Sequence, residues 1–258
     1  MKKILITGAT SGIIRELIKD IKDEYFIYVT VHTESELKNV KKLYEKDKNI
    51  ECLKLDIKNK NDIENIKDLD IDILISNAAI GYSGSIINMN INKIRDNYEV
   101  NVFSNFNLIQ IVLDNMLKKD EGKIIIMSSL AGIIPIPFLG SYSPTKASII
   151  KLSECLNKEL KILNSNINVS LIEPGMYKTG FNKYMFDNKY DDDKFNNLFK
   201  EELELIRKSE NIILKLLERK NYNSIIKKIK QALKNDNKFL YRAPLFQSIG
   251  AKIYNIFN

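Results

Sequence analysis

The sequence contains no tryptophan, one histidine and two cysteines among 258 residues. Each scarcity removes a class of function. Cys52 and Cys155 lie far apart with no C-x-x-C, so neither a disulfide framework nor a cysteine zinc site is expected. A single histidine, His32, argues against a histidine-built metal centre or a Ser–His–Asp triad within one chain, and no metal is expected. No apolar run reaches the ~18 residues that a membrane span requires. The basic start MKKILITGAT loses its apolar character after three positions, too early for a signal peptide, and a cytoplasmic protein is expected. Nor is there an arginine-rich block or a ladder of aromatics between cations. The net charge of +7 comes from lysines interspersed with Asp and Glu, the pattern of a solvated surface, and no nucleic-acid partner is expected.

What is present is an ordinary globular balance, 44% hydrophobic and 28% charged, enough for one large core. Strand-like and helix-like segments alternate. KKILIT (2–7), YFIYVTV (25–31), NIECLKLD (49–56), DIDILIS (70–76), GKIIIMSS (122–129) and INVSLIEP (167–174) read as strands. Helical patterns fall at 13–21, 35–46, 59–68, 88–119 and 141–164. Several strand runs are continuously apolar, as in strands covered on both faces. The expected fold is therefore α/β, a doubly wound parallel sheet with right-handed crossovers and helices on both faces.

Beyond Pro174–Gly175 the chain turns aromatic and charged over 177–200, and two amphipathic helical patterns follow over 198–233. KFLYRAP (238–244) reads as a last strand and IGAKIYNIF (249–257) as a short terminal helix. One domain is expected, with 1–175 binding cofactor and carrying the chemistry, 176–237 inserted and 238–258 closing the fold. The insertion is either a helical lid over the ligand crevice or a plain extension packed on the core. Its basic helices and apolar tail allow a weak peripheral membrane contact over 211–258.

Two stretches carry candidate chemistry. TGATSGII (7–14) follows the first strand and opens the first helix, where N–H groups and the helix dipole hold a pyrophosphate. Gly8 allows the tight turn and Gly12 the close approach of phosphate to backbone. In GSYSPTKAS (140–148), Tyr142 and Lys146 are four apart and share a helix face, provided that Pro144 falls in the first turn. That pair fits an acid–base centre or an unremarkable helix surface.

TGATSGI, SNAA, NVFSNFN, IIIMSSLAG, YSPTK and LIEPGMYKT occur in the order and spacing of the short-chain dehydrogenase/reductase superfamily. The sequence resembles its single-domain ~250-residue branch from Lys2 to about Thr179. The resemblance implies a Rossmann-type fold, NAD(P)-dependent alcohol or ketone chemistry, and a homodimer or homotetramer. It implies Tyr142 as general acid/base, Lys146 lowering its pKa and holding the nicotinamide ribose, Ser129 orienting the substrate oxygen, and Asn101 supporting a water relay to Lys146. It further implies cofactor contacts from Thr7, Gly8, Thr10, Ser11, Gly12 and Ile13, from Asp56 and Ile57 near adenine, and from Asn77 and Ala78 near the adenosine ribose. Pro174, Gly175 and Thr179 would flank the nicotinamide. Asn101 is also readable as a solvent-facing helix residue.

Cofactor choice turns on the end of the second strand, where a carboxylate would bind ribose hydroxyls and repel a 2′-phosphate. That place holds Val31, followed by His32 and Thr33, so NADP is expected, with NAD possible. His32 is either a phosphate contact or a surface residue. Ile14 replaces the third glycine of the turn, and a branched side chain there is expected to shift the helix. The segment SLIEPGMYKTGF and the tail FLYRAP look most like members acting on hydroxysteroids, retinoids and other lipophilic substrates. Tyr177, Phe181, Tyr184, Met185 and Phe186 are candidate pocket residues. The competing reading is a catalytically impaired NAD(P)-binding sensor or scaffold of the same fold, motivated by Ile14.

Overall fold

The computed structural model describes residues 1–235 and 238–257. Its strands are β1 (Lys3–Ile6), β2 (Phe26–Val31), β3 (Ile50–Lys54), β4 (Ile73–Ser76), β5 (Gly122–Met127), β6 (Ile167–Pro174) and β7 (Leu240–Ala243). They form one parallel sheet in the order β3-β2-β1-β4-β5-β6-β7. The chain builds outward in one direction through β3, then returns to start again at β4. That reversal opens a crevice beyond the carboxyl ends of β1 and β4, the place where doubly wound sheets bind ligands.

The continuously apolar strands feed both faces. Ile4, Ile6, Ile73, Ile75 and Ile125 pack on α1 (Gly12–Ile21), α2 (Glu34–Leu43) and α10 (Asn223–Lys234). Their neighbours Leu5, Leu74, Ile124 and Ile126 point the other way, to α3 (Lys60–Lys67), α5 (Asn105–Lys119) and α6 (Ser143–Ile162). Side chains that alternate across a strand dictate this division. Lys123, facing one end of the core, donates to the carbonyls of Ala232 and Leu233 at 2.9 Å each and caps α10.

The structure refines four sequence expectations. The helical run over 88–119 is α4 (Ile91–Tyr98) continued by a π segment, Glu99–Ser104, into α5. The Asn105 side chain donates to the Val100 carbonyl at 2.8 Å, satisfying an acceptor that the widened turn releases. Residues 177–200, read only as aromatic and charged, contain α7 (Phe181–Asp187) and α8 (Asp193–Leu198). The 198–233 patterns become α9 (Leu203–Leu217) and α10, but α10 belongs to the sheet core, so only α7–α9 stand apart from it. The terminal helix, α11 (Leu245–Phe257), begins before residue 249. Among the described residues no helix is long and apolar enough to cross a membrane.

Candidate active site

β1 runs into a turn in which Gly8 has φ 63°, a left-handed conformation that favours glycine. A Cβ there would stand 3.0 Å from the Ala78 Cα. Close approach is secured by a latch: Thr7 Oγ1 accepts the N–H groups of Asn77 and Ala78 at 2.9 Å, and Asn77 Nδ2 donates to the carbonyls of Thr7 and Gly8 at 3.0 Å. Thr7 is thus a buried strut between β1 and β4 and lies outside the cavity wall. Ser11 opens α1 without a side-chain cap, leaving the first N–H groups of the helix to an anion.

Gly12 departs from its expected use. A Cβ on it would meet the Tyr222 Oη at 2.9 Å, and that hydroxyl donates to the Lys178 carbonyl at 2.5 Å. Here the missing side chain makes room for Tyr222, and Gly12 does not line the cavity. Ile14 is fully buried in the core beside Ile4 and Leu17. The helix packs around it.

A cavity of about 790 Å³ extends from this turn across the ends of β4, β5 and β6. Gly8, Thr10, Ser11 and Ile13 wall it at one side; Asn77 and Ala78 follow from β4. His32, Asp56 and Ile57 line the end of the cavity beyond β2 and β3 with a residue that the sequence reading passed over, Glu36. His32 is exposed but engaged, its Nε2 standing 3.5 Å from the Asp56 carboxylate. A signal for Glu36 existed: T-x-x-E at 33–36 is a capping box, which the structure forms at the start of α2.

At the far end, Ser129, Tyr142, Lys146, Pro174, Gly175 and Thr179 close the cavity. Ser129 lies just past β5 and its Oγ accepts the Ala131 N–H at 3.1 Å. Its neighbour Ser128 is spent on structure, donating to the Lys146 carbonyl at 3.0 Å. Tyr142 precedes α6, with Pro144 in the first turn of that helix as required. Gly132 sets the distance between these elements, since a Cβ on it would lie 2.7 Å from the Lys146 carbonyl carbon.

Electrostatics at this end are governed by burial. Burial pushes the Tyr142 phenol above its ordinary value, and the Ser129 hydroxyl pulls the other way. Burial also lowers Lys146 to about 8. Its Nζ donates to the Met127 carbonyl at 3.2 Å and lies 5.7 Å from the Tyr142 ring centroid. Within the protein alone, burial outweighs the Ser129 bond, so Tyr142 is held as the neutral acid.

Asn101 is wholly buried, which excludes the solvent-facing reading. Its Oδ1 accepts the Ile80 N–H at 2.9 Å, and its Nδ2 donates to the Ile80 carbonyl at 2.9 Å and to Thr145 Oγ1 at 3.1 Å. It ties the loop after β4 to the residue before Lys146 and does not reach the cavity. Of the aromatic candidates, Tyr177, Phe181 and Tyr184 line the cavity, whereas Met185 and Phe186 pack behind it around Tyr142.

A family profile described as short chain dehydrogenase matches residues 2–190. The chain belongs to the short-chain dehydrogenases. The matched residues contain β1–β6, the glycine turn and the Ser129, Tyr142 and Lys146 positions. Among curated relatives, 3-ketodihydrosphingosine reductase of Bacteroides thetaiotaomicron is 29% identical over 80% of this chain and 76% of its own. The first three curated relatives are matched over 52%, 76% and 62% of their own length, so the chain spans half to three quarters of them. Solved structures share the fold. A short-chain dehydrogenase/reductase from Burkholderia phymatum in complex with NAD has a TM-score of 0.80 and 18% identity, covering 97% of this chain and 92% of that one. A short-chain dehydrogenase from Sphingobium yanoikuyae in complex with NADPH has a TM-score of 0.75 and 19% identity, covering 100% and 95%.

Proposed function

We propose that this short-chain dehydrogenase transfers hydride between NADP(H), with NAD(H) possible, and the carbonyl or secondary alcohol of a lipophilic small molecule. The observation that carries the reading is the convergence of Ser129, Tyr142 and Lys146 on the cavity that begins at the Gly8–Ile13 turn. The nicotinamide, when bound, supplies or accepts the hydride. Uncapped N–H groups at Gly12 and Ile13 receive the pyrophosphate, and Val31 leaves no carboxylate on the strand end itself.

In reduction Tyr142, kept protonated by burial, donates its proton to the carbonyl oxygen, while Ser129 orients and stabilises that oxygen as charge develops. Lys146 as a cation favours the phenolate that remains, which is what the oxidative direction also needs. Asn101 positions Thr145, and with it the helical turn that carries Lys146. Phe181, Tyr184 and Tyr177 offer apolar lining, and α7 packs directly on Tyr142, in keeping with a lid made of α7–α9. The name of the Bacteroides relative, 3-ketodihydrosphingosine reductase, supports the lipophilic substrate.

Exposed apolar residues on the helical run bearing Asn101 and on α6, Phe103 and Leu152, support a homodimer or homotetramer through those helices, and the protein is read as cytoplasmic. The impaired-sensor alternative rested on Ile14, whose side chain is absorbed in the core. A panel of ketosteroids, retinal, fatty aldehydes and 3-oxoacyl thioesters followed by NADPH absorbance finds the substrate. On any substrate so found, Tyr142→Phe should lower turnover ~10²–10⁴-fold with cofactor affinity nearly unchanged. Lys146→Ala should lower both turnover and cofactor affinity. Near wild-type turnover in Tyr142→Phe would sink the mechanism.

A further inference from the structure

The Glu36 side chain reaches back from the first turn of α2 to the end of β2, where a dinucleotide's adenosine ribose is read in this fold. Its Oε2 accepts the backbone N–H groups of His32 and Thr33, both at 3.1 Å, and the Thr33 hydroxyl accepts the Glu36 N–H at 3.2 Å. His32 and Thr33 are the first residues beyond β2, where cofactors of this fold are distinguished. Glu36 also lines the cavity, beside His32, Asp56 and Ser11. Two backbone donors suited to a 2′-phosphate are therefore already filled by a carboxylate of the chain itself. Cations of this end are engaged elsewhere: Lys54 is held by Asp62 at 2.7 Å and Lys58 by Asp96 at 3.0 Å. His32 faces Asp56.

We propose that Glu36 discriminates between the two nicotinamide cofactors by placing a negative charge on the backbone donors that a 2′-phosphate needs. The inference rests on the oxidoreductase reading above. A ribose 2′-hydroxyl is neutral, is able to donate to the carboxylate, and leaves the cap of α2 intact. A 2′-phosphate brings a second anion to the same two N–H groups. Either the carboxylate swings away and α2 loses its cap, or two like charges share one site. Glu36 thereby weakens NADP(H) binding and leaves NAD(H) binding almost untouched. Val31 alone would leave the phosphate unopposed, and the acid on the first turn of α2 restores part of the opposition.

Glu36→Gln separates charge from structure, because glutamine serves the capping box as glutamate does and removes only the negative charge. Affinities for NADPH and NADH are read by titration of the bound dinucleotide's fluorescence, with no substrate present. The dissociation constant of NADPH should fall roughly tenfold or more, while that of NADH stays within about twofold. Glu36→Ala, which loses the cap as well, should move the NADPH-to-NADH ratio in the same direction whatever its melting temperature. A ratio unchanged in both variants would overturn the inference and leave the oxidoreductase reading standing. Binding of neither cofactor by the wild-type protein would overturn both.

Discussion

Helices α9 and α10 read alike in the sequence and are used differently in the fold. α10 buries Ile225, Ile226, Ile229, Ala232 and Leu233 against the sheet. α9 buries no residue, and its Leu205, Ile212 and Leu216 are 67%, 56% and 72% exposed. What holds α9 is one apolar contact, Leu214 on the Met185–Phe186 cluster, and a polar set: Glu210 pairs with Lys189 at 2.6 Å and accepts the Tyr190 hydroxyl at 2.8 Å, and Arg207 lies 4.2 Å from the Tyr190 ring centroid. The two regions also treat a buried cation in opposite ways. Lys189 has its carboxylate; Lys146, among the described residues, has none and is left facing the cavity. Apolar area holds the sheet and also α7 and α8, which bury Met185, Phe186 and Phe195, whereas α9 rests on Leu214 and a few directed contacts, the arrangement of a helix that opens locally while the core stays folded.

Equivalent substitutions on the two helices give the largest test of that contrast. Ile229→Ala removes a side chain with no exposure and should cost about 2–5 kcal/mol in a denaturant titration. Ile212→Ala removes one that is largely exposed and should change stability by less than about 0.5 kcal/mol. Equal losses would mean that α9 is part of the cooperative core after all.

The same contrast explains how much the sequence disclosed. Strand runs such as GKIIIMSS were legible because burial on both faces writes itself as an unbroken apolar string, and the glycine turn because only certain residues make it. Ser129, Tyr142 and Lys146 were legible through motif order, and the structure brings them to one cavity. Three things were not readable. Amphipathicity marks an apolar stripe without saying what covers it, so α10 could not be told from α9. Gly12 gave no hint of Tyr222, a partner about two hundred residues away in the chain. The sign of the Tyr142 shift depends on how dry the site is, and dryness is a property of packing rather than of a motif.

The second test uses Lys146 as a probe of the core. Its folded pKa of about 8 is below the unfolded value of 10.5, so between those pH values the unfolded chain binds more protons and stability rises with pH. Below about pH 8 the full cost of burying the cation is present, up to about 3 kcal/mol for a fall from 10.5 to about 8. Lys146→Met should therefore raise the melting temperature at pH 7, and its advantage should shrink as the pH is brought toward 10. A variant less stable than wild type at pH 7 would mean that the bond to the Met127 carbonyl outweighs the burial cost.

A small effect on overall stability, and the sharpest on the comparison, is expected from Lys189→Met. Methionine fills the space among Phe138, Phe186 and Tyr190, so little packing is lost. Glu210 is left without its cation, and removing one partner of a buried pair costs about 3–5 kcal/mol where the other must stay buried. Here it need not stay. With no buried residue on α9, the helix lifts and returns Glu210 to water, so the loss is limited to the free energy of that local opening. The melting temperature of the sheet should move by less than the equivalent of about 1 kcal/mol, while limited proteolysis between Leu198 and Leu217 should quicken severalfold. Saturating cofactor should not slow that cleavage if α9 touches only the lid. A fall in melting temperature as large as that of Ile229→Ala, with proteolysis unchanged, would show that the Lys189–Glu210 pair holds the whole domain and that the two regions fold as one.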